Sequence, residues 1–104
     1  MGDIQKSQRL QDTTTTTTLT FAAPGSGKYN CINAVTADSD EPSLLTIESP
    51  SGTVLWQSQI GQNTGFDKTW PKDEFIKGAE NQAILIKLDA GTTVHISAGG
   101  FVTP

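Results

Sequence analysis

Reactive side chains are scarce in this sequence. Its 104 residues include one cysteine, one histidine and one methionine. A single cysteine excludes a disulfide within the chain and any Cys-x-x-Cys pair, and a single histidine excludes a histidine cluster. The composition therefore offers little catalytic chemistry, predicts no metal ion or other cofactor, and favours a protein that acts through its shape and its binding partners.

Positive charge and long apolar runs are also scarce. Seven lysines and arginines stand against eleven acidic residues, which gives a net charge of -4. Proteins that bind a nucleic-acid backbone need the opposite balance, so we expect no nucleic-acid partner. No window approaches the roughly 18 consecutive apolar residues of a membrane span, and residues 1–12 lack the apolar segment of a signal peptide. We therefore expect no membrane partner and synthesis in the cytosol.

The first 18 residues combine few apolar groups with a run of six threonines. Ile4 and Leu10 are the only sizeable apolar side chains after the first methionine, too few to offset the entropy of ordering the segment. The β-branched threonines nevertheless favour extended backbone. We predict an extended or disordered arm over residues 1–18 and a folded domain over residues 19–104. A strand that pairs with a sheet edge and a disordered tract both remain open.

Short strands separated by turn residues are predicted for the rest of the chain. They cover Leu19–Ala23, Tyr29–Ala37, Leu44–Glu48, Thr53–Gln59, Gln82–Leu88, Thr92–Ser97 and Phe101–Val102. The turns at residues 49–52 and 89–91 each predict a hairpin between the strands that flank them. Strands at intervals of about ten residues, with one long crossing loop, predict an all-β fold. Its expected architecture is an antiparallel β-sandwich of jelly-roll or Greek-key type.

Alternation of apolar and polar residues assigns the faces of these strands. Leu45 and Ile47 are predicted to share one face of their strand, as are Ile84, Ile86 and Leu88. Val94 and Ile96 are predicted to face inward, and His95 between them to face outward. Val54 and Trp56 are expected to share one face of their strand, with Trp56 in the core. Gly99 and Gly100 are expected to break or bulge the pattern before the last short strand.

The long segment between residues 60 and 81 contains most of the aromatic residues that remain unassigned. Thr69–Gly78 has the features of one helical turn, with Thr69 as N-cap and Gly78 as stop, but Phe75 and Ile76 fit a short strand equally well. In either form its aromatic side chains are expected to close one end of the sandwich.

Four other features each admit a functional and a structural interpretation. Gly25–Lys28 resembles the end of a phosphate-binding loop but lacks the required residues around it, so we interpret it as a β-turn. The acidic residues within 38–41 match no calcium loop and are predicted to form a solvated turn. His95 is predicted to lie on the surface or at a subunit interface, and Cys31 is predicted to be a small buried apolar group.

The order of these features resembles a known family. After a polar arm come the hairpin Leu44–Trp56, the long loop, and the segments Asn81–Leu88 and Gly91–Ser97. This pattern, over about residues 19–104, resembles the small jelly-roll head decoration (cement) proteins of tailed bacteriophages. The resemblance implies a non-enzymatic structural protein of the virion, placed on the capsid exterior as a homotrimer. It further implies that the arm clamps neighbouring copies of the major capsid protein. The residues assigned to that arm are Ile4, Leu10, Thr13, Thr14, Thr15, Thr16, Thr17 and Thr18.

Two other functions are compatible with a sandwich of this size. One is a carbohydrate-binding or host-adhesion module, in which Phe66 and Trp70 of the long loop contact the ligand, because aromatic rings stack on sugars. The other is a small hydrolase or metal-dependent enzyme, for which the sequence shows no pairing of a nucleophile with a base.

Overall fold

The computed structural model describes residues 8–71 and 73–103, and within these ranges the chain forms nine strands and no helix. The strands are β1 (Gln8–Thr14), β2 (Thr18–Phe21), β3 (Asn30–Ser39), β4 (Ser43–Glu48), β5 (Val54–Ile60), β6 (Phe66–Thr69), β7 (Ile76–Lys77), β8 (Ile84–Leu88) and β9 (Val94–Val102). The described part of the chain thus contains no helix that could cross a membrane.

The strands form two antiparallel sheets that enclose one hydrophobic core. The first sheet has the order β1-β9-β3-β6, with β7 also paired to β3, and the second has the order β2-β8-β4-β5. The predicted all-β antiparallel sandwich is therefore confirmed. Its core residues are Leu19, Phe21, Ile32, Val35, Ala37, Leu45, Ile47, Ile60, Ile84, Ile86, Leu88, Val94, Ile96 and Ala98.

The alternating pattern assigned side chains to the faces of three strands correctly. The apolar side chains predicted to share a face in β4 and β8, and those predicted to face inward in β9, are all buried, whereas His95 is exposed. This follows from the pleat, which points successive side chains to opposite faces of the sheet. Trp56 is half-buried and packs against the core.

The predicted hairpin of β4 and β5 is confirmed, but one of its side chains faces differently. Ile47 pairs with Trp56 and Glu48 pairs with Val54, so a β-bulge places an additional residue, Leu55, on β5. A bulge changes the alternation of faces on the strand that carries it. Val54 is consequently 48% exposed and does not share the environment of Trp56.

The second predicted hairpin is wrong. Strand β8 pairs with β2 and β4 in the second sheet, whereas β9 pairs with β1 and β3 in the first sheet. The segment between Leu88 and Val94 therefore crosses from one sheet to the other. Alternation predicts only that each of two successive strands has one buried face. Two strands that pair in a hairpin and two strands that lie in opposite sheets both have this pattern, so alternation does not distinguish them.

The predicted break at Gly99 and Gly100 is also wrong, because β9 runs without interruption from Val94 to Val102. The irregularity lies on the neighbouring strand, where the register of β3 shifts between Ile32 and Ala34. The two glycines instead permit close backbone contact, since a Cβ atom on Gly100 would overlap the carbonyl oxygen of Cys31.

The long middle segment contains strands and no helical turn among its described residues. Thr69 ends β6, so it is not a helix N-cap, and Ile76 begins the short strand β7. Of the two alternatives for this segment, the short strand is therefore the one observed. Both strands pair with β3, which has unused backbone groups on the side away from β9. Tertiary pairing of this kind outweighs the weak local preference for a helical turn.

A buried carboxylate connects the second sheet to its hairpin turn. One oxygen of Glu48, Oε1, accepts hydrogen bonds from the N–H of Gly52 at 2.8 Å and from Lys87 Nζ at 3.0 Å. These interactions, the Gly52 hydrogen bond first, hold the pKa of Glu48 below its ordinary value of 4.5.

We predict that Glu48→Gln destabilises the protein at neutral pH but not in acid. A lowered pKa in the folded state means that the carboxylate stabilises the fold above its unfolded pKa and loses this contribution as the pH falls through the folded value. Urea unfolding of both proteins between pH 7 and pH 3 should show a difference in unfolding free energy that shrinks towards low pH. A difference that is constant with pH would contradict this assignment.

Candidate functional site: the N-terminal strand and the outer face of the first sheet

The N-terminal segment contributes an edge strand to the first sheet. Strand β1 pairs with β9 from Gln8 opposite Val102 to Thr14 opposite Ile96. The structure thus includes residues 8–14 of the predicted arm in the sandwich itself. Ile4 lies outside the described residues. Backbone hydrogen bonds to β9 supply the stabilisation that the polar side chains of this segment do not supply.

Leu10 is the one sizeable apolar side chain of β1, and it is half-buried against the core. The other described side chains of the strand are polar, and most of them are exposed. Strand β1 is therefore held mainly through its main chain, in contrast to β8, whose side chains alternate into the core. Main-chain pairing of this kind does not depend on which copy of the protein supplies the strand.

The threonine run changes structure along its length. Thr13 and Thr14 end β1, Thr18 begins β2, and the three residues between them form a bend that leads from the first sheet to the second. The bend is held by side-chain hydrogen bonds. Thr16 donates its N–H to Thr14 Oγ1 at 3.2 Å, and its hydroxyl donates to the carbonyl oxygen of Thr18 at 3.2 Å.

Within the bend, Thr17 is anchored by the second sheet, because its carbonyl oxygen accepts the N–H of Leu88 at 2.9 Å. Thr15 is exposed. Threonine suits a bend at this place because its hydroxyl can replace the missing ladder hydrogen bonds. The predicted extended conformation is therefore interrupted between Thr14 and Thr18.

His95 holds the end of β1. Thr13 Oγ1 lies 3.0 Å from His95 Nε2 and 3.1 Å from the carbonyl oxygen of Ile96. A threonine hydroxyl has one hydrogen to donate, and here it donates to the carbonyl oxygen of Ile96, so the same oxygen accepts a hydrogen bond from His95 Nε2–H. In this tautomer Nε2 is a donor and does not act as a base towards Thr13.

Sequence reasoning missed the neighbours of His95, because they lie far from it along the chain. Asp38 is its register partner on β3, and Thr13 lies close on the other side. The carboxylates of Asp38 and Asp67 line a shallow depression beside His95. Among the described residues no three His, Cys, Asp or Glu side chains lie close enough together to hold a metal ion. The hydrogen bonds around His95 tie strands together, which is a structural arrangement.

We predict that Thr13→Val lowers the unfolding free energy by about 1 kcal/mol, the usual contribution of a side-chain hydrogen bond. Valine keeps the β-branched shape and removes both contacts of the hydroxyl. Thr15→Val is the matched control, because Thr15 is exposed and has no side-chain hydrogen bond among the described residues. Chemical denaturation should separate the two variants, and equal stabilities would contradict the anchoring role of Thr13.

A second shallow cavity, of about 270 Å³, lies on the same face over the backbone of Gly99 and Gly100. Its walls carry Arg9 from β1 and Asn33 from the bulge of β3. The cavity forms because glycine has no side chain to fill the space between β1 and β3. Its lining residues come from β1, β9 and β3, so the cavity spans the junction of β1 with the rest of the sheet.

Phe66 and Trp70 pack inward. Trp56 on β5 lies 5.2 Å from Trp70 in an edge-to-face arrangement and 5.9 Å from Phe66, measured between ring centroids. The three half-buried rings bridge the open edges of the two sheets between β5 and β6, and Lys68 Nζ lies 5.7 Å from the centroid of the Trp70 ring. This arrangement resembles the predicted closure of the sandwich more than a flat platform for a sugar.

The remaining motifs have structural partners within the chain. The N–H groups of Gly25 and Gly27 donate to Asn81 Oδ1 at 2.9 Å and to a carboxylate oxygen of Glu80 at 2.6 Å, so they are occupied by the chain's own acceptors. Lys28 closes the predicted turn through a hydrogen bond from its N–H to Gly25.

The predicted acidic turn is also tied to the chain. The two carboxylate oxygens of Asp40 accept hydrogen bonds from the N–H and the hydroxyl of Thr92, at 2.9 Å and 2.7 Å. These bonds, the hydroxyl first, lower the pKa of Asp40. Asp40 therefore holds the end of β3 to the segment that precedes β9.

Cys31 is fully buried, as predicted. It lies beneath the outer surface of the first sheet. There its register partner Phe101 packs edge-to-face against Phe75, with 5.0 Å between the ring centroids. Burial raises the pKa of the thiol, an effect that the charge of Lys77 partly opposes. A buried thiol with a raised pKa is inert as a nucleophile.

Comparison with known proteins finds no family model that matches this chain and no curated protein similar to it in sequence.

Proposed function

We propose that this chain is a non-enzymatic structural subunit of a virion, a capsid decoration protein of jelly-roll type that forms homotrimers and binds neighbouring capsid subunits through its N-terminal segment. The observation that carries the proposal is the character of β1. It is a polar edge strand near the start of the chain, held to β9 mainly by main-chain hydrogen bonds. Such a strand can leave its own sheet and add to the sheet of a neighbour at a small net cost.

The threonine bend supports the same proposal. Thr14 and Thr16 bond to each other at 2.9 Å, but these contacts are exposed and lie outside the core. Opening the bend therefore breaks exposed hydrogen bonds and buries no polar group, while β2 remains anchored through Leu19 and Phe21. Repeated contacts of this kind on a symmetric surface add by multivalency, so no deep pocket is required.

Locking β1 onto its own sheet tests the mechanism. Thr13 and Ser97 are register partners, and the Thr13 N–H bonds to Asp12 and not to β9, so they form a non-hydrogen-bonded pair. Such pairs lie about 4.5 Å apart between Cα atoms, which suits a disulfide. The oxidised double variant Thr13→Cys with Ser97→Cys should fail to co-sediment with capsids of the virus that encodes the chain, and reduction should restore binding.

The control is a disulfide of the same kind in the second sheet. Thr20 and Leu85 are register partners there, and their replacement by cysteines leaves β1 free to move. This control should bind capsids in both redox states. Capsid binding by the oxidised Thr13–Ser97 variant would overturn the strand-release mechanism. Light scattering of the natural chain should give the molar mass of three chains or of a multiple of three, and the mass of one or two chains at micromolar concentration would overturn the trimer.

A further inference from the structure

The edge of the second sheet formed by β5 has an unusual composition. Its seven residues, Val54–Ile60, include no charged side chain. The other edge strands of more than two residues are either charged, as in β1 and β6, or only four residues long, as in β2. Proteins normally protect long edge strands with charges, prolines or coverage, because their backbone groups can pair with another strand.

The same strand carries the exposed apolar residues. Val54 is 48% exposed and Leu55 is 36% exposed, and no other large hydrophobic side chain among the described residues reaches this level. An uncharged strand with its backbone at an edge and its apolar side chains in solvent has the features of a strand-addition surface. Two independent properties, charge and apolar exposure, thus point to one edge.

The direction of the backbone groups on this edge follows from the hydrogen bonds of β4. The N–H and C=O of Leu44 bond to Asp89, on the side of β8. Because these groups alternate in direction along a strand, the N–H and C=O of Leu45 point towards β5 and bond to its register partner Ser58. The N–H and C=O of the neighbouring residue Gln57 therefore point away from β4, to the open side of β5. Gln57 is the central residue of β5.

We infer that the β5 edge pairs with the β5 edge of a second copy of this chain, antiparallel and about a two-fold axis at Gln57. Full overlap of the strand with itself places Gln57 opposite Gln57 of the other copy, and a two-fold pair satisfies both open N–H and C=O groups at that position. The exposed Val54–Leu55 end of each strand then lies beside Gln59 and Ile60 of the other. The two four-stranded sheets become one continuous sheet.

A second copy fits this edge on electrostatic grounds. The chain carries a net charge of -4, so two copies repel each other overall. An uncharged strand adds nothing to this repulsion, because pairing it with itself opposes no charges. This inference goes beyond the proposed function and does not depend on it, since β5 and β1 belong to different sheets.

Opposite charges at Gln57 test the inference. Because Gln57 is exposed, Gln57→Lys and Gln57→Glu should fold normally by circular dichroism. Each variant places like charges across the two-fold axis, so its dissociation constant for self-association should rise about tenfold or more, as measured by sedimentation equilibrium. An equimolar mixture of the two variants pairs lysine with glutamate and should recover the association of the natural chain.

A general effect of the substitutions on the surface would not produce this pattern, in which each charged variant associates more weakly and their mixture recovers the natural association. Unchanged association in either variant, or no recovery in the mixture, would overturn self-pairing through β5. A natural chain with no association above one molecule, or with a trimer that neither substitution affects, would overturn it too. A trimer that neither substitution affects would contradict pairing through β5 and would still agree with the proposed capsid function. Conversely, loss of capsid binding in the Thr13–Ser97 disulfide variant has no bearing on β5.

Discussion

Replacing Gly100 by alanine should destabilise the protein by about 3 kcal/mol, the upper part of the usual range for inserting a methyl group into a packed interior. The added Cβ atom would overlap the carbonyl oxygen of Cys31 and lie 3.0 Å from the Cα atom of Ile32. Both of these are backbone atoms of the central strand β3, which cannot move aside as a side chain can. Thermal and urea unfolding should both detect the loss.

Gly99→Ala is the matched control for this prediction. It changes the preceding residue of the same strand, and its Cβ atom would meet nothing closer than the carbonyl oxygen of Leu10 at 3.7 Å, an ordinary contact. Its methyl group enters the shallow cavity on the outer face. A loss in Gly99→Ala as large as that in Gly100→Ala would show that strand propensity, and not the approach to Cys31, sets the requirement for glycine.

The same pair of glycines shows what the sequence can and cannot predict here. Their position at a special backbone feature was predictable, because glycine in a strand marks a bulge or a close approach. Which of the two applies depends on β3, a strand about 70 positions away in the chain, whose own bulge at residue 33 gives no comparable signal. The local pattern therefore predicts the site of the irregularity and not its form.

Strand faces and strand partners differ in the same way. Ile84 and Ile86 share one face of β8, as local alternation predicted, and that face is buried. The partner of a strand is decided by long-range packing, and so β8 and β9 entered different sheets although their sequences fit a hairpin. The Val54 error has a related cause, since one additional residue on β5 is enough to change a predicted face.

The N-terminal site was predictable only in part. The sequence left two alternatives for this polar, β-branched segment, a strand that pairs with a sheet edge and a disordered tract. Residues 8–14 form such a strand, at the edge of a sheet of their own chain. The sequence carries no signal that Thr13 would meet His95, because the two residues are brought together only by the β1–β9 register. Contacts at a sheet edge are set by register, which is fixed by the whole sheet.

The second large effect is expected at Ile86, at the centre of the second sheet. It is fully buried and pairs with Leu19 on one side and Ile47 on the other. Ile86→Ala should lower the unfolding free energy by about 3 to 4 kcal/mol, because the lost side chain leaves a cavity between the sheets that packed neighbours fill only in part. For a domain of this size, that is a large fraction of the total stability.

Two milder substitutions test the position of Ile86 even when the alanine variant does not fold. Ile86→Val removes one methyl group and should cost about 1 kcal/mol. Leu85→Ala, at the preceding residue, whose half-buried side chain lies on the opposite face of β8, should cost less than Ile86→Ala in urea unfolding. A valine variant as stable as the natural chain, together with equal losses for the two alanine variants, would contradict the assignment of Ile86 to the centre of the core. The order expected from burial alone is therefore Ile86→Ala as the most destabilised, followed by the two milder changes.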